Sequence, residues 1–146
     1  MRCVQRRHLR RAPRWSLPGL LLLVGCSSPT EPNEVRLAFF TRVVFGLPTL
    51  ATIATPGDRA IEVEGVLLAP HTAYELSANA TPEIGRLDVA ITARKSGTGQ
   101  PFPTQNYYAA TLSSLRRGAY ALRVLHVIER EQMDTTVVYN QTVTVR

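Results

Sequence analysis

The groups that could do chemistry in this chain are few. His71 and His126 stand well clear of the basic N-terminal stretch, and imidazole is the side chain suited to metal ligation or proton transfer near neutral pH. A zinc site takes three or four ligands from His, Cys or carboxylate. His71 follows Pro70 in a turn. His126 falls inside an apolar run and shares parity with Tyr120, Leu122 and Val124. Nothing in their spacing brings the two together, so His126 reads as a structural strand histidine and the expectation is no metal and no cofactor. Glu62 and Glu64 lie two apart and share one face of a strand. Paired carboxylates run acid–base chemistry when one is buried, but here Ile61 and Val63 take the core side, which leaves the glutamates on a solvated face. Ser113 and Ser114 precede Leu115 without the Gly-x-Ser-x-Gly turn of a nucleophile, and no base or orienting acid accompanies them. No residue is assigned a catalytic role.

The stretch 97–108, Gly-Thr-Gly-Gln-Pro-Phe-Pro-Thr-Gln-Asn-Tyr-Tyr, is the candidate binding loop. A rigid scaffold positions its end loops for recognition, and exposed aromatics are favoured anchors. Phe102 between two prolines, with Gln105 and Tyr107 after it, is the group to follow. The competing expectation is that Phe102 lies down as a lid on the core and Tyr107 faces a neighbouring strand.

The first 25 residues have their own logic. Arg2, Arg6, Arg7, Arg10, Arg11 and Arg14 form a basic region without an acid, and Leu17-Pro-Gly-Leu-Leu-Leu-Leu-Val24 is apolar. A charged region, a short apolar run and a small residue before a cut site make a secretory signal. The apolar run falls short of the ~20 residues a membrane span needs. The segment Leu23-Val24-Gly25-Cys26 resembles the lipobox of bacterial lipoproteins. That resemblance implies cleavage before Cys26 and a lipid on its sulfur, so the membrane itself is the first expected partner. More than one acyl chain makes such an anchor stable. Ser27 and Ser28 stand where enteric-type bacteria carry an inner-membrane Asp signal, so the expected localisation is the cell envelope, on the outer membrane where the organism has one. Residues 26–33 then read as a polar, Pro-rich lipidated tether.

Cleavage changes the charge. The whole chain carries 17 Lys+Arg against 11 Asp+Glu, a formal +6. Six of the arginines lie in the signal, which leaves 11 bases against 11 acids. A nucleic-acid binder needs a basic face to neutralise phosphates, and the mature sequence has no basic run beyond pairs such as Arg116-Arg117. Nucleic acid is excluded as a partner. Cys3 leaves with the signal and Cys26 takes the lipid, so residues 34–146 hold no disulfide and no thiolate. About 110 residues suffice for one domain with its own core.

The hydrophobic period after Glu34 is two. Leu87, Val89, Ile91 and Ala93 alternate with Asp88, Ala90, Thr92 and Arg94. Tyr108, Ala110 and Leu112 alternate with Tyr107, Ala109 and Thr111. Val137, Tyr139, Gln141, Val143 and Val145 would share one face. Ala119–Glu129 is apolar on both faces, which suits a central strand, and Val35–Phe45 is a long first strand that could break in two. Turn residues separate these runs. The fold class expected is all-β, a single antiparallel sandwich of seven to eight strands over residues 34–146. Leu115-Arg-Arg-Gly118-Ala-Tyr120 resembles the tyrosine corner of immunoglobulin-like and fibronectin type III domains. That likeness implies that Tyr120 packs in the core, that its hydroxyl bonds the backbone a few residues upstream, and that Gly118 takes an angle a Cβ would penalise. The mature chain has no Cys pair and no Trp, so a cysteine-free sandwich is the closer likeness.

These readings point to a non-enzymatic envelope module that binds or braces a protein or glycan partner. One alternative is a metal-dependent or hydrolytic envelope enzyme using His71 and His126. Another is an accessory subunit of an envelope complex, which would leave apolar residues around Phe39, Phe40 and Phe45 uncovered.

Overall fold

The computed structural model describes residues 34–46 and 51–146. The signal, Cys26 and the tether lie outside the described residues. Alternation drives the local structure. In β3 (Ile61–Ala69), β5 (Arg86–Lys95) and β6 (Thr104–Ser113) every second residue is buried, the signature of a strand with one face on a core. The other strands are β1 (Arg36–Val44), β2 (Ile53–Pro56), β4 (Tyr74–Glu83), β7 (Gly118–Glu129) and β8 (Met133–Val145). The described residues form an all-β sandwich of two four-stranded sheets, ordered β1-β6-β3-β2 and β4-β5-β7-β8.

β1 is one continuous strand, paired to β6 from Arg36↔Ser113 to Val44↔Gln105. β7 is a central strand, as its two apolar faces required: Leu122 and Val124 are fully buried, while Leu125 and Val127 are half-covered on the outer side. One pairing departs from the antiparallel expectation. β5 and β7 run parallel, Arg86↔Ala121 through Arg94↔Glu129. The chain leaves the second sheet after β5, descends through β6 in the facing sheet and returns as β7, so β7 must run in the direction of β5.

A second departure is in β8. The register shifts between Val124 and Leu125, so that Val124 pairs with Tyr139 and Leu125 with Val137. Val138 is the extra residue of a β-bulge, and both Val138 and Tyr139 pack on the core. A bulge reverses the alternation beyond it. Val137, expected to share a face with Val143 and Val145, is therefore exposed, and Thr136 and Asp134 turn toward the space between the sheets.

The core joins Ile61, Val63 and Leu67 of β3, Leu87, Val89 and Ile91 of β5, Tyr108 and Leu112 of β6, Leu122 and Val124 of β7, and Val143 and Val145 of β8. Each large side chain removed from water contributes about 1.5–3 kcal/mol. The registers give the sandwich two poles. Glu34, the Gly57–Ala60 turn, the Ile84–Gly85 turn, the Ser114–Arg117 loop and Arg146 lie at one. Phe45, the Pro70–Ala73 turn, the Ser96–Pro103 loop and the Arg130–Gln132 turn lie at the other. The first pole is stitched by backbone bonds, Arg59 N–H to Arg146 O at 3.0 Å and Leu115 N–H to Arg59 O at 3.1 Å.

Candidate functional site

The expected binding loop divides in two. Only residues 96–103 are loop, because Thr104 already begins β6. Gln105 and Tyr107 are thus strand residues on the outer face of the first sheet, which corrects their assignment to a loop: the break falls at Pro103, not after Asn106. The loop itself is pinned to the facing turn. Gln100 N–H donates to Thr72 Oγ1 at 2.8 Å, and Ser96 N–H donates to Ala73 O at 2.8 Å. A Cβ on Gly99 would stand 2.7 Å from that of Ala73, so only glycine allows this approach. Phe102 is half exposed rather than folded down on the core.

Tyr107 sits beside β1 and β3. The Arg42 guanidinium lies 5.2 Å from its ring centroid, a cation–π placement, and Thr41 Oγ1 donates to its carbonyl at 3.0 Å. Burial and the neighbouring Glu64 carboxylate hold the Tyr107 hydroxyl above its ordinary pKa. Phe40 and Leu68 are exposed on the same sheet face, each by more than half. Of the three phenylalanines in and after β1, Phe39 is half-buried against the core, while Phe40 and Phe45 are uncovered.

The corner residues have a defined geometry. Leu115 is buried, Gly118 has φ +143°, and Tyr120 packs against the core while its hydroxyl donates to Arg116 O at 3.0 Å. That hydroxyl spans four residues and fixes the turn into β7.

The two histidines serve separate environments. His71 is half-buried at the far pole; its Nδ1 accepts from Ala73 N–H at 3.3 Å, and its ring meets Tyr74 edge-on at 4.6 Å. His126 belongs to a polar chain that the sequence does not announce. Its Nε2 shares a hydrogen bond of 2.8 Å with the hydroxyl of the buried Tyr108, which in turn shares one of 3.0 Å with Thr52 Oγ1. The chain therefore links β6, the entry to β2, and β7 of the opposite sheet. Gly65, the register partner of Tyr108, makes room for it. A Cβ there would lie 2.7 Å from Tyr108 Cζ and 2.9 Å from Thr52 Oγ1. A glycine within an alternating strand is the sequence signal that marks this close approach.

Burial sets the electrostatics of the chain. It pushes His126 down to about 4 and Tyr108 up to about 12, the latter moderated by the bond to Thr52. Both side chains are neutral at pH 7. His126 lines a recess of about 380 Å³ between the sheets, together with Leu67, Ile128, Val138, Thr136 and Asp134. The imidazole brings no charge to this recess at neutral pH. Among the described residues, no three of His, Cys, Asp and Glu stand close enough to hold a metal ion.

Across the outer face of the second sheet, Asp88 accepts from both Arg86 and Arg123. The Arg86 hydrogen bond is the largest influence on its carboxyl; burial opposes it, and the Arg123 hydrogen bond with the charges of both arginines keeps the group below the ordinary range. Arg94 and Glu129 form a second two-bonded pair between β5 and β7. Such pairs tie the parallel strands together.

No family model, no curated protein and no solved structure matches this chain.

Proposed function

We propose that this protein is a lipid-anchored, non-enzymatic module of the bacterial cell envelope. On this reading the signal is removed before Cys26, the lipid on Cys26 holds the domain at a membrane (the outer one where the organism has it), and the sandwich presents its far pole to an envelope protein. The sandwich is further read as immunoglobulin-like, in a cysteine-free form with a tyrosine corner at Tyr120 and a parallel β5–β7 pair as its own departure.

The observation that carries the reading is polarity. The tether enters at Glu34, beside the start of β1, where Ile84 is the one large exposed apolar side chain among the described residues, while three gather at the opposite pole: Phe45 at 84 % exposure, Met133 at 75 % and Phe102 at 50 %. Exposed aromatic clusters mark protein-binding surfaces. Phe40 and Leu68 extend the same character onto the first sheet. This favours the accessory-subunit form of the reading, in which a partner covers these residues. His71 and His126 each have structural partners, and no observation supports a shared enzymatic site.

Intact mass of the membrane-extracted protein, with Cys26→Ala alongside, tests the anchor. The expected result is loss of residues 1–25 plus a lipid-sized increment, absent from the variant. An unlipidated mass for both forms would overturn the anchor. A photo-reactive residue at Phe102 should then give a discrete protein adduct in cells that the same probe at Thr81 does not.

A further inference from the structure

We infer that the pole from which the tether leaves is a membrane-docking face, where arginines meet anionic lipid headgroups and Ile84 enters the interface. This rests on the lipid-anchor reading above, which brings that pole to a bilayer.

The registers place Arg36, Arg59, Arg116, Arg117 and Arg146 at this pole, and all five are exposed. Arg86 is also there but is closed on Asp88. The acids at the same pole are Glu34, Asp58 and Glu83. The opposite pole is balanced, with Arg42, Arg94, Lys95 and Arg130 against Glu75, Glu129, Glu131 and Asp134. The sandwich, with 11 bases against 10 acids, therefore carries its basic excess at the end facing its anchor. The ion pair between Arg117 and Asp58, 3.6 Å apart with both side chains more than three-quarters exposed, is the solvent-screened kind that holds its partners weakly. Arg117 is available to another anion.

Ile84 supplies the second observation. It stands fully exposed at the tip of the two-residue β4–β5 turn, where Gly85 takes φ +71° and Gly85 O accepts from Ala121 N–H at 2.8 Å. That bond sets the tip beside the loop that carries Arg116 and Arg117. An exposed isoleucine at the tip of a tight turn gains nothing from water, whereas at a headgroup boundary its side chain is buried. Basic residues near an anionic leaflet are attracted additively. Cys26 lies eight residues before Glu34, so the anchor and this face meet the same bilayer. A soluble polyanion would use the arginines but not the isoleucine, which favours a lipid surface.

The test uses the unlipidated chain from Ser27, which keeps every residue of the buried core from Ile61 to Val145. Its co-flotation is measured with vesicles of zwitterionic lipid alone and of the same lipid mixed with phosphatidylglycerol. The expected result is association with the anionic vesicles only, weakened by salt. Arg116→Glu with Arg117→Glu should lower it by at least about tenfold, as should Ile84→Asp, while Arg116→Lys with Arg117→Lys retains it and Lys95→Glu at the far pole leaves it unchanged. Equal association with both vesicle types, an equal loss with Lys95→Glu, or no effect of Ile84→Asp would overturn the proposal. The lipid on Cys26 plays no part in this assay. A failed mass measurement with intact flotation would remove the anchor and leave the face, and the reverse would do the opposite.

Discussion

The hydroxyl of Tyr108, in the first sheet, lies 2.8 Å from Nε2 of His126 in the second. This contact is a polar joint across a largely apolar sandwich interior, and it explains why a glycine interrupts β3. Tyr108→Phe removes the hydroxyl that both His126 Nε2 and Thr52 Oγ1 use, leaving buried polar atoms unpaired at about 1–3 kcal/mol. Gly65→Ala places a methyl against the ring of Tyr108 and should cost about 1–3 kcal/mol as overpacking. The clash needs the Tyr108 ring, so Tyr108→Ala, which removes that ring, combined with Gly65→Ala should be less destabilised than the sum of the two single variants. Urea unfolding of the four chains measures this, and strict additivity would show that the clash is absorbed elsewhere.

His126 gives that joint a pH dependence. Its folded pKa, about 4, lies below its ordinary 6.5. Between those values the unfolded chain binds a proton that the folded chain does not, so stability is full above pH 6.5 and falls as the pH drops toward 4. With partial exposure discounted, the loss is about 2–3 kcal/mol. Tyr108 acts at the other extreme: with its pKa raised to about 12, stability is full below pH 10 and falls as the pH rises from there. His126→Gln should flatten the acidic slope and leave the alkaline one. A slope unchanged in the variant would assign the acid sensitivity to another group.

Tyr120→Phe isolates the corner. The ring stays packed while the bond to Arg116 O is lost, an expected cost of about 1 kcal/mol. In a domain of this size that lowers the melting temperature by roughly 4–8 °C. Gly118→Ala should cost more than its missing hydrogen suggests, since φ +143° is unfavourable for any residue with a Cβ. A melting curve unmoved by Tyr120→Phe would mean that the hydroxyl finds water in place of Arg116 O at no cost.

The parts of this molecule that were legible in the sequence are those where one strand's own pattern decides. Leu87 to Ala93 and Tyr108 to Leu112 alternate and are buried as they alternate, because each faces one core with a fixed period. Ala119–Glu129 is apolar on both faces and is central. What failed depends on partners far along the chain. The alternation in β8 puts Val137 on one face with Val143 and Val145, and the bulge at Val138 turns it outward; a bulge is set by the register with β7, which the β8 sequence does not contain. β2 is four residues ending in Pro56, too short to show a period. The link from Tyr108 to Thr52 and His126 spans 56 and 18 residues, and only Gly65 hinted at it. The parallel β5–β7 pair follows from β6 lying in the other sheet, a fact of topology rather than pattern.

Asp88 should unfold on a different schedule from His126. Arg86 and Arg123 hold its carboxyl below the ordinary 3.8. A depressed carboxylate contributes its stability above the unfolded value and loses it as the pH falls through the folded one. The wild-type acid transition should therefore have two parts, the first between pH 6.5 and 4 from His126 and the second on further acidification, as Asp88 and the Arg94-paired Glu129, both held below their ordinary values, take up protons. Asp88→Asn keeps the shape and some hydrogen bonding but removes the charge that both arginines share. Its expected cost at neutral pH is about 1 kcal/mol, at the upper end for an exposed pair because two arginines converge on it, and the difference should shrink in high salt. As Asp88 takes up its proton in acid, wild type and variant should converge, since protonation does to Asp88 what the substitution does. Chemical unfolding at pH 7, 5 and 3, at low and high salt, resolves the two parts. A difference that persists undiminished at pH 3 would mean that Asp88 stabilises the β5–β7 pair through packing rather than charge.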